Sequence, residues 1–141
     1  MKSIKVKIRA YKTTDYPNVE KNMLEANVFH PPWDSKKNFN KKIKIDPNSI
    51  LVAIVDNKVV GSILLMTDGW AAFLYRLAVH KDFRGKGVGS SLLLAAEKEV
   101  KKRGIKQAGL FMDDEDKILL RFYKKRGYEP IVKRLLMIKP L

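Results

Sequence analysis

Three glycines at alternate positions, Gly85, Gly87 and Gly89, interleave with Lys86 and Val88 and follow directly on Arg84. Backbone without Cβ atoms can curl tightly and bring its N–H groups up to an anion, while Arg84 and Lys86 add mobile positive charge beside it. Upstream, Ala72 to Val79 reads as a strand with Phe73, Tyr75, Leu77 and Val79 on one face. Downstream, Val88, Leu92, Ala96 and Val100 recur at helical spacing. A glycine turn between a strand end and a helix start lies where unpaired N–H groups and the positive end of the helix dipole hold anions. Pyrophosphate is the natural ligand of such a turn. The same residues also read as a surface turn that uses glycine for shape and basic side chains for solubility.

Two familiar phosphate motifs do not fit. A Rossmann G-x-G-x-x-G needs glycine at position 90, where Ser90 stands, and a second βαβ unit; the Walker A string is absent.

Periodicity supplies the elements that must position the loop. Ile4, Val6 and Ile8 alternate with Lys5, Lys7 and Arg9 as a strand. Thr13-Thr14-Asp15 offers a cap and Pro17 a first turn for a helix that buries Tyr16, Val19, Met23 and Ala26 and reaches about Phe29, where His30-Pro31-Pro32-Trp33 stops it. A short second helix, capped by Asp34 or Ser35, buries Phe39 and Ile43 and turns Lys36, Lys37, Lys41 and Lys42 to water. Ile50 to Val55 and Val59 to Met66 form a hairpin across Asp56-Asn57-Lys58, and Thr67-Asp68-Gly69 leads into the strand that feeds the loop. Gly104 ends the central helix, and Ile105 to Met112 reads as a strand parallel to the one before the loop, because a helix crosses between them. Asp113-Asp114-Glu115-Asp116 opens a last helix whose inner face is Ile118, Leu119, Phe122 and, partly, Tyr123, and Gly127 ends it. One or two short strands follow in Tyr128 to Leu141. The expected fold is α/β of the α+β kind, a mixed sheet flanked by about four helices.

A chain of 141 residues accommodates one domain with a proper core. It has no cysteine, so disulfides and thiolate metal sites are excluded; with only His30 and His80, no metal is expected. Met1 to Lys7 alternates charged and apolar residues without the apolar run of a signal peptide, and no segment approaches the ~20 apolar residues of a membrane span. A cytoplasmic protein is the expectation. A net charge of +14 attracts polyanions, among them nucleic acid and the phosphates of coenzyme A (CoA). The lysines are spread along most elements, which favours a solvated surface over a nucleic-acid site.

Arg84-x-x-Gly87-x-Gly89, placed after a strand ending Leu77-Ala78-Val79 and before a long amphipathic helix, resembles the acyl-CoA pyrophosphate loop of the GNAT superfamily of CoA-dependent N-acyltransferases. The resemblance extends to Ile8-Arg9-Ala10 with Thr14-Asp15, to Asp56-Asn57-Lys58-Val59-Val60-Gly61, and to Phe122-Tyr123-Lys124-Lys125-Arg126-Gly127-Tyr128, over residues 4 to 138 in matching order. It implies one acetyltransferase domain over 1–141, with a mostly antiparallel twisted sheet whose parallel pair splays at the CoA site. Leu77, Ala78 and Val79 would then offer backbone groups to the pantetheine arm. Arg84, Gly85, Lys86, Gly87, Val88, Gly89 and Ser90 would hold the pyrophosphate, Val88 by its amide. Tyr123 would return a proton to the departing thiolate, a phenol with reference pKa near ~10 being protonated at neutral pH; its other reading is a core aromatic. Phe29 and Trp33 would line the acceptor pocket. Where the family has an asparagine this chain has Asp113, read here as a helix cap.

The resemblance implies an N-acetyltransferase that moves the acetyl group of acetyl-CoA to a primary amine (a peptide or protein N-terminus, a lysine or a small amine) by direct attack in a ternary complex. The absence of cysteine favours direct transfer over a covalent acyl-enzyme. The alternatives on the same fold are a basic nucleic-acid-binding module and a CoA-binding protein without turnover. A homodimer is the family's common habit.

Overall fold

A computed structural model describes residues 4–141, so the part of the N-terminal alternation that falls on Met1, Lys2 and Ser3 lies outside the described residues. The chain divides into two compact units, one up to residue 110 and one from 111 to 141.

In the first unit, strands β1 (Lys7–Ala10), β2 (Ile50–Val55), β3 (Lys58–Thr67) and β4 (Ala72–Val79) form an antiparallel sheet in the order β1-β2-β3-β4. The β2–β3 hairpin closes through Asp56 and Asn57, both left-handed at φ 49° and 63°, the conformation whose hand matches the strand twist. Helices α1 (Tyr16–Glu25) and α2 (Lys36–Ile45) cover one face. There Tyr16, Val19, Met23 and Phe39 pack on Ile50, Val52, Leu64 and Ala78. Helix α3 (Val88–Lys102) covers the other face and buries Val88, Leu92, Ala96 and Val100, as their spacing predicts. It lies close because residue 61 is glycine: a β-carbon there would stand 3.0 Å from both Ala78 O and Leu92 Cδ1.

Helix ends show where local chemistry overrode the prolines. Helix α1 stops at Glu25, short of the expected Phe29, because Asn27 turns left-handed at φ 59° and Val28 N–H closes on Met23 O at 3.1 Å. Gly104, at φ 76°, ends α3 by the same closure, with Ile105 N–H on Val100 O. Ser35, not Asp34, caps α2, accepting from Asn38 N–H at 3.2 Å. Lys42 does not face water. Its Nζ donates to Leu65 O at 2.6 Å, and burial pulls its ammonium pKa down.

The parallel strand expected at 105–112 shrinks to one bridge between Phe73 and Gly109, with Leu74 N–H on Gly109 O and Gly109 N–H on Ala72 O. Glycine at the centre of the run weakens it as a strand. Among the described residues no strand is formed by 128–141, whose apolar side chains from Ile131 to Leu141 are exposed. The second unit is built on α4 (Lys117–Lys124), capped by Asp116, whose carboxylate accepts from Leu119 N–H at 3.0 Å. Asp113 is not the cap; it accepts from Glu115 N–H in the turn before the helix. Ile118 is exposed and Tyr123 buried, so the inner face is turned from the one expected. Among the described residues no helix is long and apolar enough to cross a membrane.

Arg103, in the last turn of α3, grips Asp46 beyond α2 through two nitrogens at 2.6 and 2.9 Å and also reaches Glu99 at 3.1 Å. Hydrogen bonding from Arg103 holds the Asp46 carboxyl below the ordinary carboxylate range. A carboxyl depressed in the folded state contributes stability above its unfolded pKa near ~4 and loses it as pH falls through the folded value. Replacing Arg103 by Met should therefore lower stability at neutral pH and flatten its fall on acidification below about pH 4, read by urea unfolding across pH.

Candidate active site

The strand before the glycine loop does not run straight. Leu64 pairs with Tyr75 and Ser62 with Ala78, so Arg76 and Leu77 together oppose Ile63 and form a bulge. Tyr75 and Ala78 consequently share a face with Leu64 and Ser62, whereas Val79 pairs with Gly61 and falls on the other face. The single face expected for Phe73, Tyr75, Leu77 and Val79 is broken at that point. Arg76 sits at φ 54°, a conformation that costs an L-residue about 1–2 kcal/mol.

An ion pair holds the bulge in place. Arg76 Nε donates to Asp34 Oδ2 at 2.8 Å, with both side chains largely buried. Asp34 also accepts from His30 N–H at 2.8 Å, and its carbonyl accepts from Tyr16 O–H at 2.7 Å. One carboxylate thereby ties the α1–α2 connection to β4. That connection carries Phe29, packed against the core, and Trp33, 48% exposed. Tyr75 beside it has Lys42 Nζ and Arg76 Cζ at 5.4 and 5.6 Å from its ring centroid, and burial raises its phenol pKa.

From β4 the chain enters His80, which is buried and doubly fastened. Its N–H donates to Val60 O at 2.7 Å, and its Nδ1 accepts from Asp82 N–H at 3.1 Å to start a short 3-10 turn over Lys81–Phe83. Arg84 Nε reaches back to Val79 O at 3.0 Å. Gly85 and Gly87 follow at φ 73° and 85°, where a side chain is strained, although a β-carbon on either would meet nothing within 4 Å. The space beside the loop is open. Gly87 caps α3, whose first intrahelical bond runs from Ser91 N–H to Gly87 O. The amides of Val88 and Gly89 come before that bond and lie at the positive end of a 15-residue helix. Gly89 is helical, so its backbone makes no demand for glycine; its missing side chain leaves room above the first turn.

A diphosphate fits this chemistry: amide donors, a dipole, two cations and clearance on one loop. Leu77, Ala78 and Val79 end β4, and Arg84 to Ser90 run from the turn after it into the first turn of α3. Sequence reasoning missed the Asp34–Arg76 tie and the fastening of His80. No glycine marks the bulge, and a buried carboxylate 42 positions away in sequence leaves no periodic trace. Tyr123 belongs to the second unit, where its ring meets Phe122 and Tyr128 edge-on at 5.2 and 5.7 Å. Burial pushes its phenol up to about 12.

A sequence model of the acetyltransferase (GNAT) family matches residues 14–128. A curated acetyltransferase of Sodalis glossinidius is 31% identical over 124 residues, 88% of this chain and 87% of that protein. The crystal structure of Ard1 from Thermoplasma volcanium superposes with a TM-score of 0.78 at 25% identity, covering 90% of this chain and 84% of the other. PaiA N-acetyltransferase from Thermoplasma acidophilum, solved in complex with coenzyme A, gives 0.73 at 25% identity over 89% and 91% of the two chains. The chain belongs to the GNAT acetyltransferase family. It is an acetyl-CoA-dependent acetyltransferase with the GNAT fold.

Breaking the buried tie should be costly. Asp34→Ala leaves Arg76 uncompensated and is expected to lower unfolding free energy by about 3 kcal/mol, whereas Asp34→Leu combined with Arg76→Met should recover much of that loss. Urea denaturation of Asp34→Leu, Arg76→Met and the double variant reads the cycle, with Asp34→Ala beside it.

Proposed function

We propose that the protein transfers the acetyl group of acetyl-CoA to a primary amine by direct attack in a ternary complex. The observation that carries this reading is the loop from Arg84 to Ser90, with left-handed glycines, open space beside them and helix-start amides at its end. Its backbone N–H groups, with Arg84 and Lys86, would hold the pyrophosphate, and Leu77, Ala78 and Val79 would lie along the pantetheine arm. Bound there, the donor supplies an activated acyl carbon; the protein supplies position and proton handling. A backbone N–H near Val79 would polarise the thioester oxygen, since only a donor stabilises the charge that develops there. Phe29 and Trp33 would wall the acceptor side, held to β4 through Asp34 and Arg76. The family match spans 14–128 and so runs through both units, which supports a single catalytic domain over 1–141.

Tyr123 is the proposed acid, and its pKa defines what it can do. A phenol at about 12 is protonated at neutral pH yet over three units weaker as an acid than a thiol near ~8.5. Outright transfer to the leaving sulfur is uphill. The phenol therefore acts as a hydrogen-bond donor to the departing sulfur, passing its proton on as the nitrogen's surplus proton is delivered back to it. The exchange balances without an external acid: the amine loses one proton and the sulfur gains one.

Titration with acetyl-CoA should shift the backbone amide resonances of residues 84–90; a titration that saturates and leaves them unmoved overturns the site. Tyr123→Phe should reduce kcat by about 100-fold under chemistry-limited conditions while acetyl-CoA affinity stays unchanged, measured by thiol release across a panel of amines.

A further inference from the structure

Helix α2 carries charge of one sign only. It carries Lys36, Lys37, Lys41, Lys42 and Lys44 and no acidic residue. Lys36 and Lys37 stand in its first turn, where the helix dipole disfavours positive charge, and Lys37 and Lys41 are like charges four residues apart. Lys42 and Lys44, in its last turn, are the ones that stand where cations belong. Lys42 turns inward to Leu65 O, but Lys36, Lys37, Lys41 and Lys44 stay exposed along one face of the helix with Asn40.

In the first unit the buried or half-buried carboxylates of Asp15, Asp34, Asp46 and Glu99 are taken by Arg9, Arg76 and Arg103. Among the described residues none of the four exposed lysines is in an ion pair, so a local arrangement unfavourable to the helix is left with no internal compensation. Uncompensated departures of this kind mark functional surface. The stripe also starts three residues after the exposed Trp33, and Asn38 Nδ2 fixes that residue's carbonyl at 2.9 Å.

We propose that the acceptor is an acidic polypeptide: its reactive amine enters at the Phe29–Trp33 wall, and the carboxylates that follow lie along Lys36, Lys37, Lys41 and Lys44. This rests on the acceptor-side reading given above. The stripe from 36 to 44 is ~12 Å long, the span of about four residues of extended chain. A stripe that short, leading away from a reacting amine, suits carboxylates close behind a peptide's amino end better than the long phosphate track of a nucleic acid.

The test uses the full chain, with coenzyme A bound for affinity and acetyl-CoA for turnover, and C-terminally labelled peptides of about ten residues with a free amino end, matched except for four Asp/Glu or four Asn/Gln after the first residue. Fluorescence anisotropy should show the acidic peptide binding about tenfold tighter, an advantage that fades as salt rises from about 0.05 to about 0.5 M. The combined variant K36E/K37E/K41E/K44E should erase the preference, keep its acetyl-CoA affinity and unfold at a temperature no lower than the parent, since first-turn glutamates suit the dipole. Equal binding of the two peptides overturns the proposal. So does an oligothymidylate of matched charge that binds more tightly than the acidic peptide and loses its binding in the same variant. If the acidic peptide binds through the stripe and is not acetylated, the docking surface stands and the acceptor-side reading falls. If it is acetylated, the preference should appear in KM and not in kcat.

Discussion

The closeness of α3 to the sheet at Gly61 governs what the rest of the first unit can do. With 3.0 Å between a would-be β-carbon and both a strand carbonyl and Leu92, the helix cannot sit where it does over any other residue without moving. Its start is thereby fixed against the end of β4, where His80 is fastened to Val60 and the chain must turn at once. Gly85 and Gly87 supply the left-handed steps that make such a turn feasible. The loop is a consequence of packing on the far face of the sheet, and its anion-holding geometry comes from the way the helix begins.

Much of this was legible from residue spacing. The 88-92-96-100 stripe, the glycine at 104 and the Asp56–Asn57 hairpin are local signals, each set within a few residues of the feature it produces, and the structure shows all three. The features that escaped are of a different kind. Arg76 adopts a left-handed conformation with no glycine to announce it, because a buried partner from another element compensates the strain. Lys42 looks like one more solvated lysine until the carbonyl of Leu65 is placed within its reach. Helix α1 ends at Asn27 although two prolines lie further on, since an asparagine able to turn left-handed closes the helix before proline is needed. The run 105–112 has strand composition but pairs only at Gly109; pairing depends on what the neighbouring edge accepts, and alternation does not report that.

The charged residues divide by type. Arg9, Arg76 and Arg103 each hold a carboxylate at 2.6 to 2.8 Å, two of them with a second nitrogen, as suits a planar fork in a partly desolvated place. Lysine supplies most of the remaining positive charge and, Lys42 apart, stays in water. The net charge of +14 therefore acts mostly as an outward-facing field. Long-range attraction of anionic partners and internal stability are set by different residues and can vary independently.

The bulge in β4 connects these themes. An extra residue in an edge strand re-aims the backbone after it, so Val79 leaves the face it would have shared with Tyr75, and its carbonyl is taken by Arg84. The residue that makes the bulge is the one that Asp34 grips, which couples the shape of the strand to the position of the connection between α1 and α2. In the mechanism proposed above, the donor lies along the end of this strand and the acceptor against that connection. Both substrates would then be positioned from one buried charge pair, and a shift of an ångström in it would move donor and acceptor relative to each other. In that reading, the sensitivity would account for a strained arginine held by a buried carboxylate at this point of the strand.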